Sequence, residues 1–188
     1  MNEAERSIAV PPRVRGYFIT FATYGGRLHG DASGSVDSEH RLYCTPVCPP
    51  NPVREEFERR SMIQSEYILN AERREVVLRS CREVSEFRGW WLFVAHVRSN
   101  HVHFIVQASD EPERVMNDLK SYSSRALTKA GFEGRERRRW ARHGSTRYLW
   151  NEDQLRRAIS YVLCEQGERM EVYVAPGLWK EAEPEPRP

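Results

Sequence analysis

Asn100-His101-Val102-His103-Phe104-Ile105-Val106 places two histidines two residues apart in a run of β-branched and aromatic residues. That composition reads as a strand. Side chains alternate faces along a strand, so His101 and His103 share one face and Val102, Phe104 and Val106 the other. One face can enter a core while the other offers two imidazoles to a single point. Converging imidazoles can hold a divalent metal, though two solvated or hydrogen-bonded histidines would give the same pattern. A third histidine two residues on, as histidine-triad nucleotide hydrolases require, is excluded because that position is Ile105.

Outward from this strand the chain alternates strands and helices. Trp90 to Val97 reads as a strand, joined to the His101 strand by a tight turn at Ser99-Asn100, which makes a hairpin. Upstream, Asn70 caps a predicted helix from Ala71 to about Phe87 with Val77, Cys81 and Val84 as its apolar stripe. Gly16 to Tyr24 (GYFITFATY) is a first strand, ended by Gly25-Gly26. Residues 27–52 form a long irregular insertion in this reading, functional or mobile. Downstream, Pro112 opens a helix with Val115, Met116, Leu119, Ser123, Ala126 and Leu127 facing inward. Ser145 to Trp150 is a short strand. Asn151 then caps a last helix, with Gln154 in capping-box position, an apolar face of Leu155, Ala158, Ile159, Val162 and Leu163, and Gly167 as its stop. The order predicts an α+β domain, an antiparallel sheet covered by helices, over residues 15–175. Residues 1–14 are expected to be a flexible N-terminus and 176–188, rich in Glu and Pro, a disordered tail.

Composition narrows the function. A chain of 188 residues, 39% apolar, is one domain with enough material for a core. Net charge is only +2, so bulk charge does not announce a nucleic-acid binder, but the positive charge is nearly all arginine. Arginine suits planar, bidentate contacts to phosphate. The densest run carries Arg135, Arg137, Arg138, Arg139, Arg142 and Arg147 against the single acid Glu136, interleaved with Trp140, His143 and Tyr148. Charge runs are usually solvated loops; the interleaved aromatics favour a nucleic-acid surface. Cys44, Cys48, Cys81 and Cys164 lack zinc-finger spacing and are read as reduced thiols of a cytoplasmic protein. No signal-peptide core and no membrane-spanning run is seen. His29, His40, His96 and His143 are read as structural or solvated.

On the last helix, at about 100° per residue, Tyr161 falls roughly 120° from the centre of the apolar stripe. Glu165, one turn on, shares its side; Gln166 points toward the core unless the helix frays before Gly167. Spacing alone favours a tyrosine–carboxylate surface pair. The alternative is a nucleophile and a metal ligand brought to the two histidines.

The ordered set of Phe18-Ile19-Thr20-Phe21, Asn100-His101-Val102-His103, Met116 to Leu127 (MNDLKSYSSRAL), Gly144 to Trp150 (GSTRYLW) and Ala158 to Val162 (AISYV) resembles the HUH single-tyrosine transposases. These include small insertion-sequence transposases and the REP-associated tyrosine transposases. The resemblance spans about residues 16–167. It implies a ferredoxin-like fold, Mg²⁺ or Mn²⁺ on His101 and His103, and Tyr161 as a nucleophile forming a 5′-phosphotyrosine on single-stranded or hairpin DNA. It further implies a prokaryotic homodimer with active sites completed between subunits. The family's third metal ligand is a Gln or Asn one turn after the tyrosine; here that position is Glu165, with Gln166 adjacent, and both remain candidates. Tyr122 is read as structural or DNA-facing. Lys120, Arg125, Arg137, Arg138, Arg139, Arg142 and Arg147 are the expected DNA contacts. Two other readings stand beside this one: a domesticated hairpin nickase without mobility, and a non-enzymatic DNA-binding protein.

Overall fold

A computed structural model describes residues 14–28 and 50–178. The expected flexible N-terminus up to residue 13, residues 29–49 of the insertion with Cys44, Cys48, His29 and His40, and the tail from residue 179 lie outside the described residues. The elements in chain order are β1 (Gly16–Ala22), α1 (Pro52–Arg60), α2 (Ala71–Arg88), β2 (Trp91–Val97), β3 (His101–Gln107), α3 (Pro112–Lys129), β4 (Ser145–Leu149), α4 (Glu152–Cys164) and β5 (Glu171–Val174). The strands form one antiparallel sheet in the order β4-β1-β3-β2-β5. The run β1-α2-β2-β3-α3-β4 with β3 between β1 and β2 is the ferredoxin-like split βαβ arrangement, with β5 added beyond β2. The domain is α+β. No helix among the described residues is long and apolar enough to cross a membrane.

Local chemistry sets the element ends. Asn70 accepts a hydrogen bond from Arg73 N at the start of α2, and Gly89, at φ 68°, closes it in the left-handed conformation. Pro112 opens α3, where a missing N–H costs nothing. Asn151 accepts from Gln154 N at the start of α4, and Gln154 Oε1 accepts from Trp150 N in return (2.8 Å). The hairpin turn is sealed by Arg98 N donating to His101 O (2.8 Å).

The sheet separates two cores. Val102, Phe104 and Val106 of β3, with Tyr17, Ile19 and Phe21 of β1, pack against α2 and α3. Ile105, with Val94 of β2 and Leu149 of β4, packs against Leu155, Ala158, Ile159 and Val162 of α4. The central strand is therefore buried on both faces from His101 to Val106. This modifies the two-faced reading of the strand: the histidine face is also a core face, but α4 covers its Ile105 end, so the histidines sit by the C-terminal end of α4.

Helix α1 and strand β5 have no counterpart in the sequence reading. Helix α1 buries no side chain; the Asn51 cap, Pro52 and the exposed i,i+4 pairs Arg59–Glu55 and Arg60–Glu56 support it. No apolar stripe marks such a helix. Strand β5 is four residues long and half-buried throughout, too short for alternation to register.

Candidate active site

The pairing of β1 with β3 sets Thr20 opposite His103, and the pairing of β2 with β3 sets His96 opposite it on the other side. Asn100 Nδ2 donates to Gly26 O (3.1 Å), which turns its Oδ1 toward His101 Nδ1 at 2.7 Å. A carboxamide oxygen only accepts, so His101 carries its proton on Nδ1 and leaves a lone pair on Nε2. Thr20 Oγ1 lies 2.9 Å from His103 Nδ1, and a hydroxyl can either donate or accept there, so it supports both tautomers of that ring. His103 Nε2 is 3.1 Å from His101 Nε2 and 2.8 Å from Gln166 Oε1; both of those atoms accept, so His103 carries its proton on Nε2 here, and a metal on that nitrogen would call for the Nδ1–H tautomer that Thr20 also supports. Three donor atoms thus converge.

Burial pushes His101 down to about 3, helped by His103, Arg27 and Arg98 and opposed by a hydrogen bond to Gln166, which favours the protonated ring. Burial likewise holds His103 down to about 4 against the Gln166 hydrogen bond, with Arg27, His96 and Arg98 lowering it further. Both rings are neutral at neutral pH, the form in which imidazole ligates metal. Divalent cations of the Mg²⁺ type take ligands at about 2.1 Å in octahedral geometry, which spaces neighbouring donors about 3 Å apart. The observed 3.1 Å and 2.8 Å separations fit that spacing, and the carbonyl oxygen is a hard donor of the kind such an ion takes, while the two imidazoles are donors that also serve softer divalent metals.

Of the two candidates, Gln166 is the side chain placed against the histidines; Glu165 stays one turn above Tyr161, its N–H bonded to Tyr161 O (3.2 Å), with its side chain in solvent. The sequence reading extended a regular helix to Gly167. Helix α4 ends at Cys164; Glu165 is its C-cap at φ −110°, ψ 11°, and Gly167 turns the chain at φ 71°. This tightening swings Gln166 inward, where its Nε2 also approaches Tyr161 O (3.4 Å), and leaves Glu165 exposed. Tyr161 lies off the core face as its position on the helix predicts, 40% exposed. Its ring meets His103 edge-on at 5.9 Å between centroids and Phe18 at 6.0 Å, and Phe18 is 5.6 Å from His103. The tyrosine therefore stands beside the histidines of its own chain.

The family model for IS200-like transposases matches residues 61–164, more than half of the chain. The chain belongs to this family. A solved structure of a REP-associated tyrosine transposase bound to a REP hairpin is similar over 86% of this chain and 70% of that one, with 11% identity and a TM-score of 0.42. No curated protein matches. Transposases act on DNA, and DNA is the partner the family assigns.

In this IS200-like transposase the basic residues divide into two groups. Lys120 is not a free cation. It is buried on α3, donates to the carbonyls of Ala141, Arg142 and His143 (3.1, 3.4 and 3.1 Å), and burial lowers it to about 8. Arg139 is buried too and donates to the carbonyls of Phe132, Glu133 and Gly134. Arg137 spans Gln64, Ser65 and Glu66 and covers the Tyr67 ring. These three tie the loop to the body of the protein, Lys120 and Arg139 from buried positions and Arg137 from a half-buried one. Their role was hidden because a carbonyl-bound cation and a solvated one look alike in sequence. Arg125, Arg138 and Arg142 are exposed, with Arg125 over the Tyr122 ring and Arg138 over Tyr24. Arg147, half-buried on β4, stands 5.5 Å over the Phe18 ring and so borders the Tyr161 site. Tyr122 is on α3, across the sheet from the histidines, packed against the core of that face. The sequence reading has Thr20 and Asn100 only as motif members and gives them no role: Thr20 meets His103 through strand register, which carries no local signal, and Asn100 adjoins His101 in sequence but is oriented by Gly26 O.

Arg139→Ala is accordingly expected to destabilise the fold by about 2–3 kcal/mol, through three lost charge-assisted hydrogen bonds. Arg142→Ala is expected to leave stability within about 0.5 kcal/mol. Urea unfolding of the two variants checks this; equal midpoints would mean that Arg139 is not a structural cation.

Proposed function

We propose that the protein is a metal-dependent single-stranded DNA endonuclease and strand transferase that works through a covalent 5′-phosphotyrosine on Tyr161. One observation carries the reading: His101 Nε2, His103 Nε2 and Gln166 Oε1 converge beside a tyrosine that is outside the core. Mg²⁺ or Mn²⁺ held by these three atoms would polarise the scissile phosphate and offset its developing negative charge. Asn100 and Thr20 orient the two imidazoles from behind, the outer contacts that metal-binding histidines require. The Tyr161 hydroxyl attacks phosphorus: a P–O(Tyr) bond forms, the P–O3′ bond breaks, the phenolic proton is lost and the departing oxygen takes a proton to become a 3′-OH. In the reverse sense a 3′-OH attacks the phosphotyrosine and frees the tyrosine, so joining needs no nucleotide triphosphate. Arg125, Arg138, Arg142 and Arg147 are the side chains proposed to track the strand. Homodimerisation remains part of the proposal. The same-chain placement of Tyr161 supports a site completed within one subunit.

The purified protein is expected to cut hairpin-flanked single-stranded DNA with Mg²⁺ or Mn²⁺ and to stop in EDTA. Cleavage that survives EDTA would remove the metal from the reaction. Tight DNA binding with no cleavage under any metal would leave a DNA-binding protein whose histidines are structural.

A further inference from the structure

Gln166 follows the end of a helix, yet it sits against His103. The reason is visible on β2. His96 is 1% exposed and faces the same side of the sheet as His103. Its Nδ1 is 3.0 Å from Val162 O in the last turn of α4, and Met170 N donates to its Nε2 at 3.3 Å. A carbonyl only accepts and an amide N–H only donates, so the ring is held with its proton on Nδ1 and both nitrogens are occupied. Two residues on, Arg98 Nη1 donates to Glu168 O (2.9 Å). The stretch from Val162 to Met170 is thereby tied to β2 on both sides of Gln166, and Gly167 supplies the reversal between.

We propose that His96 and Arg98 are positioning residues, which clamp the turn after α4 so that Gln166 completes the donor set with His101 and His103. His96 is the third histidine around the site but not a ligand, because neither of its nitrogens is free. The inference rests on the metal-binding reading above and adds the part of the chain that delivers the third donor. Without the clamp, Gln166 would sample the conformations of an untethered helix end, and the entropy of ordering it would be charged to metal binding. Supporting contacts of this kind change metal affinity by about 10–100-fold when removed.

The test is Mn²⁺ binding to the full chain, followed by electron paramagnetic resonance of the free ion. His96→Leu is expected to weaken binding by about tenfold or more. Because it acts through Gln166, His96→Leu/Gln166→Ala should bind no more weakly than Gln166→Ala alone. Losses that multiply in the double variant, or a His96→Leu variant that binds as wild type, overturn the proposal. If His96→Leu does not fold, Arg98→Met in the same cycle with Gln166→Ala gives the same decision. Nitrogen NMR of the His96 ring is independent of metal: an Nε2–H tautomer would refute the clamp directly. If the wild-type chain binds no Mn²⁺, the metal reading falls. The clamp is then judged by that tautomer and by slow hydrogen exchange at the Met170 amide, which His96→Leu or Arg98→Met should accelerate.

Discussion

Tyr161→Phe is expected to abolish DNA cleavage and the covalent protein–DNA adduct while leaving the fold and DNA affinity in place. The substitution removes one oxygen atom. The ring that packs edge-on against His103 and Phe18 is unchanged, and the hydroxyl makes no hydrogen bond among the described residues. At 40% exposure the stability change should stay within about 0.5 kcal/mol. Loss of a nucleophile, by contrast, leaves only binding and electrostatic effects, and a fall on the order of 10⁴-fold or more is expected. Tyr122→Phe is the control. Tyr122 lies across the sheet from the histidines under the Arg125 guanidinium, and its variant should retain the adduct. Denaturing gels of labelled DNA followed by mass spectrometry decide between them. An adduct mapped to Tyr122 would overturn the assignment.

His101→Ala and His103→Ala should each reduce metal-dependent cleavage by on the order of 100-fold or more, since each removes a proposed ligand outright. These are buried rings, 6% and 3% exposed, so stability must be followed alongside activity. The pH dependence distinguishes a folded variant from a damaged one. In the unfolded chain a histidine takes its proton near 6.5. In the folded chain His101 resists protonation down to about 3 and His103 down to about 4. The unfolded state therefore binds more protons over this range, and stability present above about 6.5 is lost as pH falls toward 4. Each Ala variant removes one such group, so its stability should decline less steeply between pH 6.5 and 4 than that of the wild type. Urea titrations at several pH values measure the slope. A wild-type slope in both variants would mean that the imidazoles are not held neutral by their burial, and a variant that fails to fold at any pH would make that histidine primarily structural.

Much of the fold was legible because its signals are local. A strand with period two puts His101 and His103 on one face whatever surrounds it. Asn70, Pro112 and Asn151 mark helix starts through groups within a few residues of themselves, and Ser99-Asn100 turns a hairpin in the space of its own residues. The off-core position of Tyr161 follows from helical spacing alone. The chemistry of the site was less legible, because it depends on atoms that meet across the sheet. That Thr20 stands behind one imidazole is a fact of strand register. That Lys120 and Arg139 are loop anchors depends on which carbonyls the folded loop turns inward. The choice between Glu165 and Gln166 turned on where α4 stops. Helical periodicity favours 165 for as long as the helix continues. Contacts from His96 and Arg98, which lie more than sixty residues earlier in the chain, pin the turn that brings 166 inward instead. The sequence by itself determined the elements other than α1 and β5, the apolar stripes of α2, α3 and α4, and the pair of histidines, because those follow from bonds and spacings within one element. Only the tertiary structure decided which third side chain joins the pair, because that is set by hydrogen bonds between a helix end and a strand that no local pattern connects.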